Sequence, residues 1–116
     1  MNGKVYDLED RTLKFSVKII ELCRRITKDV ITLPIISQLV RSATSIGANY
    51  REANGASSKK DFINKIFICK KESKETEYWL LVLFEADQKI SEDCGSLLQE
   101  SKELSMIFSK IASKLK

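Results

Sequence analysis

Histidine is missing from this 116-residue chain, and with it every reaction that needs an imidazole. There can be no Ser-His or Cys-His nucleophile pair, no imidazole general base and no Glu-x-x-His site of the kind that di-metal bundles use. The chain is expected not to be an enzyme. Proline occurs once, at Pro34, and glycine four times. So few turn-formers leave little room for the tight reversals of a many-stranded sheet and favour long helices with short connections. The three cysteines, Cys23, Cys69 and Cys94, are widely spaced, odd in number and without a CxxC pair, which predicts free thiols and a cytoplasmic location. The polar N-terminal stretch MNGKVYDLEDR lacks the apolar run of a secretory signal. The longest apolar run, YWLLVLF, is far shorter than the ~20 residues that span a bilayer.

What is present suits one globular domain over residues 1–116, with 43% hydrophobic and 31% charged residues. Helical periodicity predicts four segments, at about 7–26, 34–54, 59–87 and 92–114. In the first, Leu8, Phe15, Ile19, Leu22 and Ile26 form a stripe that Leu13, Val17 and Ile20 widen, with Asp7 as the expected N-cap. Pro34 opens the second, with Thr32 a candidate cap, and Ile36, Leu39, Ala43, Ile46, Gly47, Tyr50 and Ala53 share one face. The NGASS turn offers Gly55 for a left-handed C-cap and Ser57 or Ser58 to start the third helix. That helix has a core stripe of Phe62, Ile66, Cys69, Ser73, Thr76, Leu80, Leu83 and Phe84. A second apolar set, Ile63, Phe67 and Leu81, lies about 100° away. A helix with two apolar faces meets two neighbours, so Ile63, Phe67, Tyr78 and Leu81 are expected at a subunit interface. The fourth segment repeats Leu97, Leu104, Phe108, Ile111 and Leu115. Four helices with short loops predict an all-α, antiparallel up-down-up-down bundle.

Charge is uneven. Of the net +4, the excess lies between Arg41 and Lys74, which holds eight basic and three acidic residues. Lys59, Lys60, Lys70, Lys71 and Lys74 fall within an arc of about 120° on the third helix. With Arg51 nearby they form a candidate nucleic-acid surface, because phosphate contacts need cations but no sequence-specific geometry. The competing reading is a solvated helix face with Lys–Glu pairs. Glu72, Glu75 and Glu77 have the look of metal ligands, yet with interleaved lysines and no histidine they read better as ion-pair partners. Neither metal nor cofactor is expected. The segment RSATSIGANYREANGASSKK lacks the GxxxxGK[ST] spacing of a phosphate loop. Its Ala43 and Gly47 instead suit close helix approach, and Arg41, Asn49 and Glu52 are expected in a polar network that reaches Glu77.

Three runs carry a family resemblance: RSATSIGANYREA at 41–53, SKKDFI at 58–63 and KESKETEYWL at 71–80. With these the chain closely resembles the small four-helix proteins encoded by intervening sequences within bacterial 23S ribosomal RNA genes. The resemblance implies a bundle that assembles as a ring-shaped homopentamer, similar to the accessory protein of diversity-generating retroelements. That relative binds nucleic acid and a reverse transcriptase through a basic exterior. The resemblance therefore implies RNA or DNA as a partner. The alternative is a protein-interaction scaffold, like a reverse-transcriptase accessory subunit, that touches nucleic acid only incidentally.

Overall fold

A helix leaves its first amides unpaired, and this chain supplies an oxygen for them at three starts. The computed structural model describes residues 7–115, so most of the MNGKVYD portion read above for a secretory signal, and Lys116, lie outside the described residues. The Asp7 carboxylate accepts the Asp10 amide ahead of α1 (Leu8–Arg24), as expected. Ser58 does the same for the Asp61 amide ahead of α3 (Lys59–Ala86). For α2 (Thr32–Asn54) the cap lies earlier than the sequence reading placed it. Asp29 Oδ1 accepts the amides of Ile31 and Thr32, both at 2.9 Å, and the Asp29 amide donates to Thr32 Oγ1 at 3.0 Å. This is a reciprocal capping box with threonine in the third position. The Leu33 amide then makes the first helical bond, to the Asp29 carbonyl at 3.0 Å, and Pro34, which has no N–H to continue that ladder, follows directly near the start of α2. A short 3₁₀ turn, Gln88–Ile90, leads into α4 (Ser91–Lys114).

The ends close differently from expectation. Gly55 has φ of −100°, so no left-handed cap forms. Instead the amides of Gly55 and Ala56 bond back to the carbonyls of Glu52 and Ala53, a 3₁₀-type tightening of the last turn that needs no positive φ. At the end of α1, Lys28 Nζ donates to the carbonyls of Cys23 and Arg24 at 2.6 and 3.0 Å.

Contacts between helices fix the topology. Ser16 on α1 donates to the Ala43 carbonyl on α2, Thr76 on α3 to Ser42 on α2, and Ser101 on α4 to the Ser73 carbonyl on α3. Arg11 on α1 and Arg25, the residue just after it, reach Glu100 and Asp93 on α4. Residue numbers rise on one helix as they fall on its neighbour, so the four helices run up-down-up-down, as the periodicity predicts. The molecule measures 44 × 27 × 19 Å, and the 28 residues of α3, about 42 Å of helix, span its length.

The core is built from the predicted stripes. Phe15, Ile19 and Leu22 from α1 meet Leu39 and Ile46 from α2, Ile66, Leu80 and Leu83 from α3, and Leu104 and Phe108 from α4, all fully or almost fully buried. Tyr50 packs diagonally on Phe108, with ring centroids 5.9 Å apart. Leu13 and Val17 do not widen the α1 stripe: they are 50% and 45% exposed, on a flank that neither neighbouring helix covers.

Candidate nucleic-acid interface and its flanking polar seam

On the α2/α3 flank Arg41 and Lys65 are each paired with carboxylates of the facing helix. Arg41 Nη1 donates to both oxygens of Glu72 at 3.3 Å, and Arg41 Nη2 pairs with Glu75. Glu72 is the buried member, its side chain only 10% exposed, and it also accepts from the Ser45 hydroxyl. Asn49 donates to the Ser45 carbonyl and hydroxyl, so Arg41, Glu72, Ser45 and Asn49 form one connected network. Glu75 takes a further bond from the Trp79 indole N–H at 3.0 Å; that bond and Arg41 hold its carboxyl below the usual value. Glu52 stands apart from this network and pairs with Lys65 at 2.7 Å.

Glu77 does not belong here, contrary to the sequence reading. It lies five residues beyond Glu72, about 140° round the helix, and so points toward the α4 side. There it is half-buried, and its Oε1 is enclosed without a hydrogen-bond partner. Glu72 and Glu75 are three apart and share the α2 side, which is why Arg41 chooses them. That spacing was visible in the sequence.

The predicted nucleic-acid residues separate into two groups. Lys59, Lys60, Lys71 and Lys74 are exposed and Lys70 half-buried, and none of the five has an ion-pair partner among the described residues. Lys71 is near enough to Glu75 to help lower its pKa, but remains outside pairing distance. Arg51 is elsewhere: it lies on the α1 side of α2 and faces Glu9 at 3.7 Å.

The four predicted interface residues share the outer side of α3 with those lysines but do not form one patch. Ile63 and Phe67 stand among the lysines of the first half. Tyr78 and Leu81, 58% and 47% exposed, lie beyond Lys74 in the last stretch of α3, which carries no lysine. The gap from Phe67 to Tyr78 is 11 residues, about 16 Å.

A groove of about 650 Å³ runs between α1 and α4, bridged by Arg11, which forks onto Glu100 (2.7 Å) and Glu103 (3.0 Å). This fork is not legible in local spacing, because Arg11 and Glu100 are 89 residues apart in the chain. The three cysteines are free and buried, and burial pushes the thiols of Cys23 and Cys69 up to about 11 and 12. Among the described residues no group of three His, Cys, Asp or Glu side chains is placed to hold a metal ion, and no helix is long and apolar enough to cross a membrane.

With this geometry in view, comparison with known proteins decides the family. The model for the 23S rRNA-intervening sequence protein matches residues 5–110. The chain belongs to that family. Among solved structures, this 23S rRNA-intervening sequence protein family member is similar to a crystal structure from Bacteroides thetaiotaomicron, described as a protein with unknown function from the S23 ribosomal protein family. The two are 38% identical with a TM-score of 0.79, over 90% of this chain and 96% of the other. No curated protein matches. The network of Arg41, Ser45 and Asn49 lies inside the first of the three runs that carried the resemblance. Those residues hold the α2/α3 seam together, which is a structural reason for that run's composition.

Proposed function

We propose that this protein is a non-enzymatic, cytoplasmic, oligomeric bundle that contacts RNA or DNA phosphates through the lysines of α3. One observation carries the reading: Lys59, Lys60, Lys70, Lys71 and Lys74 share the outer side of α3 with no ion-pair partner among the described residues, whereas Arg41, Arg51 and Lys65 each face a carboxylate. Cations free of carboxylate partners can release counterions from a phosphate chain without first breaking a bond. The test is a binding titration of a labelled 24-base RNA and of the matching DNA duplex against salt. Affinity should fall steeply as salt rises, with a slope reduced in the Lys70→Gln, Lys74→Gln double variant; a salt-independent affinity would sink the proposal.

The oligomer in this reading is a ring, and five subunits is the number that the family resemblance supplies. Two unlike apolar patches support a ring: Tyr78 and Leu81 on α3, and Leu13 and Val17 on the diagonal helix α1. Unlike patches on different sides suit a head-to-tail contact, which closes into a ring when the rotation allows. Each subunit then repeats a modest lysine surface, and avidity rises without strong contacts per copy.

The same exposed Tyr78 and Leu81 favour a second reading, a scaffold that binds another protein such as a reverse transcriptase. Under it, replacing the α3 lysines leaves partner binding intact while Leu81→Glu abolishes it.

A further inference from the structure

The antiparallel fold brings together two basic stretches that are far apart in the chain. In α3 the lysines end at Lys74; Glu75, Glu77 and Glu85 follow, with no basic residue before Lys89. In α4 the order is reversed: the acids end at Glu103, and Lys110 and Lys114 follow with no further carboxylate side chain. The Ser101 hydroxyl on the Ser73 carbonyl, at 2.7 Å, and the Cys94 thiol on the Leu80 carbonyl, at 3.2 Å, set the register between the two helices. The lysine-bearing first half of α3 therefore lies beside the second half of α4.

Lys102 follows Ser101 directly. It is exposed, has no ion-pair partner among the described residues, and is on the side of α4 turned toward α3, because the α1 side is marked by Glu100 and Glu103. Those two carboxylates, the nearest acids on α4, are both engaged by Arg11 across the other seam. Lys110, two turns further on and about 80° further round the helix than Lys102, is exposed on the outward face of α4 and has no ion-pair partner among the described residues. The carboxylate that faces the α3/α4 seam is Glu77, and it lies beyond Lys74, at the end of the basic stretch.

We infer that the phosphate-binding surface crosses from α3 onto α4, and that Lys102 and Lys110 are phosphate-contacting residues alongside Lys70 and Lys74. The ligand class is a nucleic-acid backbone lying across the α3/α4 seam at the end of the bundle away from Glu77 and Glu85. This extension rests on the function proposed above, and the experiment separates the two. Fluorescence anisotropy with the same 24-base RNA and duplex, from 50 to 250 mM NaCl, compares four proteins: the unmodified chain, Lys70→Gln with Lys74→Gln, Lys102→Gln with Lys110→Gln, and a control with Lys18→Gln and Lys89→Gln. Circular dichroism melting checks that each is folded. The α4 pair should lower the slope of log affinity against log salt by about 1 to 2, as the α3 pair does, while the control leaves it unchanged. If the α3 pair lowers the slope and the α4 pair does not, the extension is wrong and the α3 surface stands. If neither pair differs from the control, both readings fall.

Discussion

A Cβ placed on Gly47 would stand 3.0 Å from Thr12 Oγ1 and 3.2 Å from Thr12 Cβ, so α1 and α2 meet where even a methyl group fits only if Thr12 gives way by a few tenths of an ångström. Thr12 cannot move aside easily, because it is fully buried and its hydroxyl donates to the Leu8 carbonyl at 2.6 Å. In an exposed helix Gly→Ala gains about 1 kcal/mol. Here overpacking of about 1–3 kcal/mol opposes that gain. Gly47→Ala should therefore be neutral to destabilising, and chemical denaturation measures the sign; a stabilisation near 1 kcal/mol would mean the helices separate freely.

The Arg41–Glu72 pair predicts an asymmetry. Arg41→Ala leaves a buried carboxylate with only the Ser45 hydroxyl from another helix, an arrangement that costs about 1–3 kcal/mol. Arg41 does not touch Glu77, so Glu77→Gln, which keeps a polar atom there but no charge, should cost little, whereas Glu77→Leu removes the unsatisfied oxygen and should raise stability. Urea midpoints of the three variants provide the comparison.

Acid should weaken the same seam. The Glu75 carboxyl is held below its ordinary value first by the Trp79 indole and then by Arg41. A depressed carboxyl pKa stabilises fully above the unfolded value, near 4.5, and that contribution disappears as pH falls through the lower folded value. Trp79→Phe removes the indole donor, so its melting temperature should fall less steeply than that of the unmodified chain between pH 5 and about 3.

The three thiols should be inert. Burial raises all of them, and only thiolates attack. Ellman's reagent is expected to label none in the native protein within minutes at pH 8 and all three in denaturant; rapid native labelling at any site would show that its helix opens.

The proposed ring makes a prediction about mass. Light scattering should give five times the chain mass, and Leu81→Glu or Val17→Glu should reduce it toward that of one chain. A monomer before any substitution would overturn the subunit contact.

Much of this molecule was legible from its residues. The stripes of Phe15, Ile19 and Leu22, of Leu39 and Ile46, and of Leu80 and Leu83 are buried as their spacing implied, because a helical period assigns a face without reference to any partner. The caps at Asp7 and Ser58 were equally local. α2 starts ahead of Pro34 because the Asp29–Thr32 box, only a few residues earlier, already satisfies its first amides. Gly55 misled because glycine permits a left-handed cap but does not require one.

The sequence by itself determined the helices, their buried faces and the concentration of lysines on α3, since each follows from short-range periodicity and composition. Only the tertiary structure decided which charges meet. Arg41 and Glu72 are 31 residues apart, and Arg11 and Glu100 are 89 apart. Ion pairing depends on distance in space, which the antiparallel register sets and local spacing does not. The same register neutralises the cations of the α2/α3 flank and gathers those of α3 and α4 at one end of the bundle.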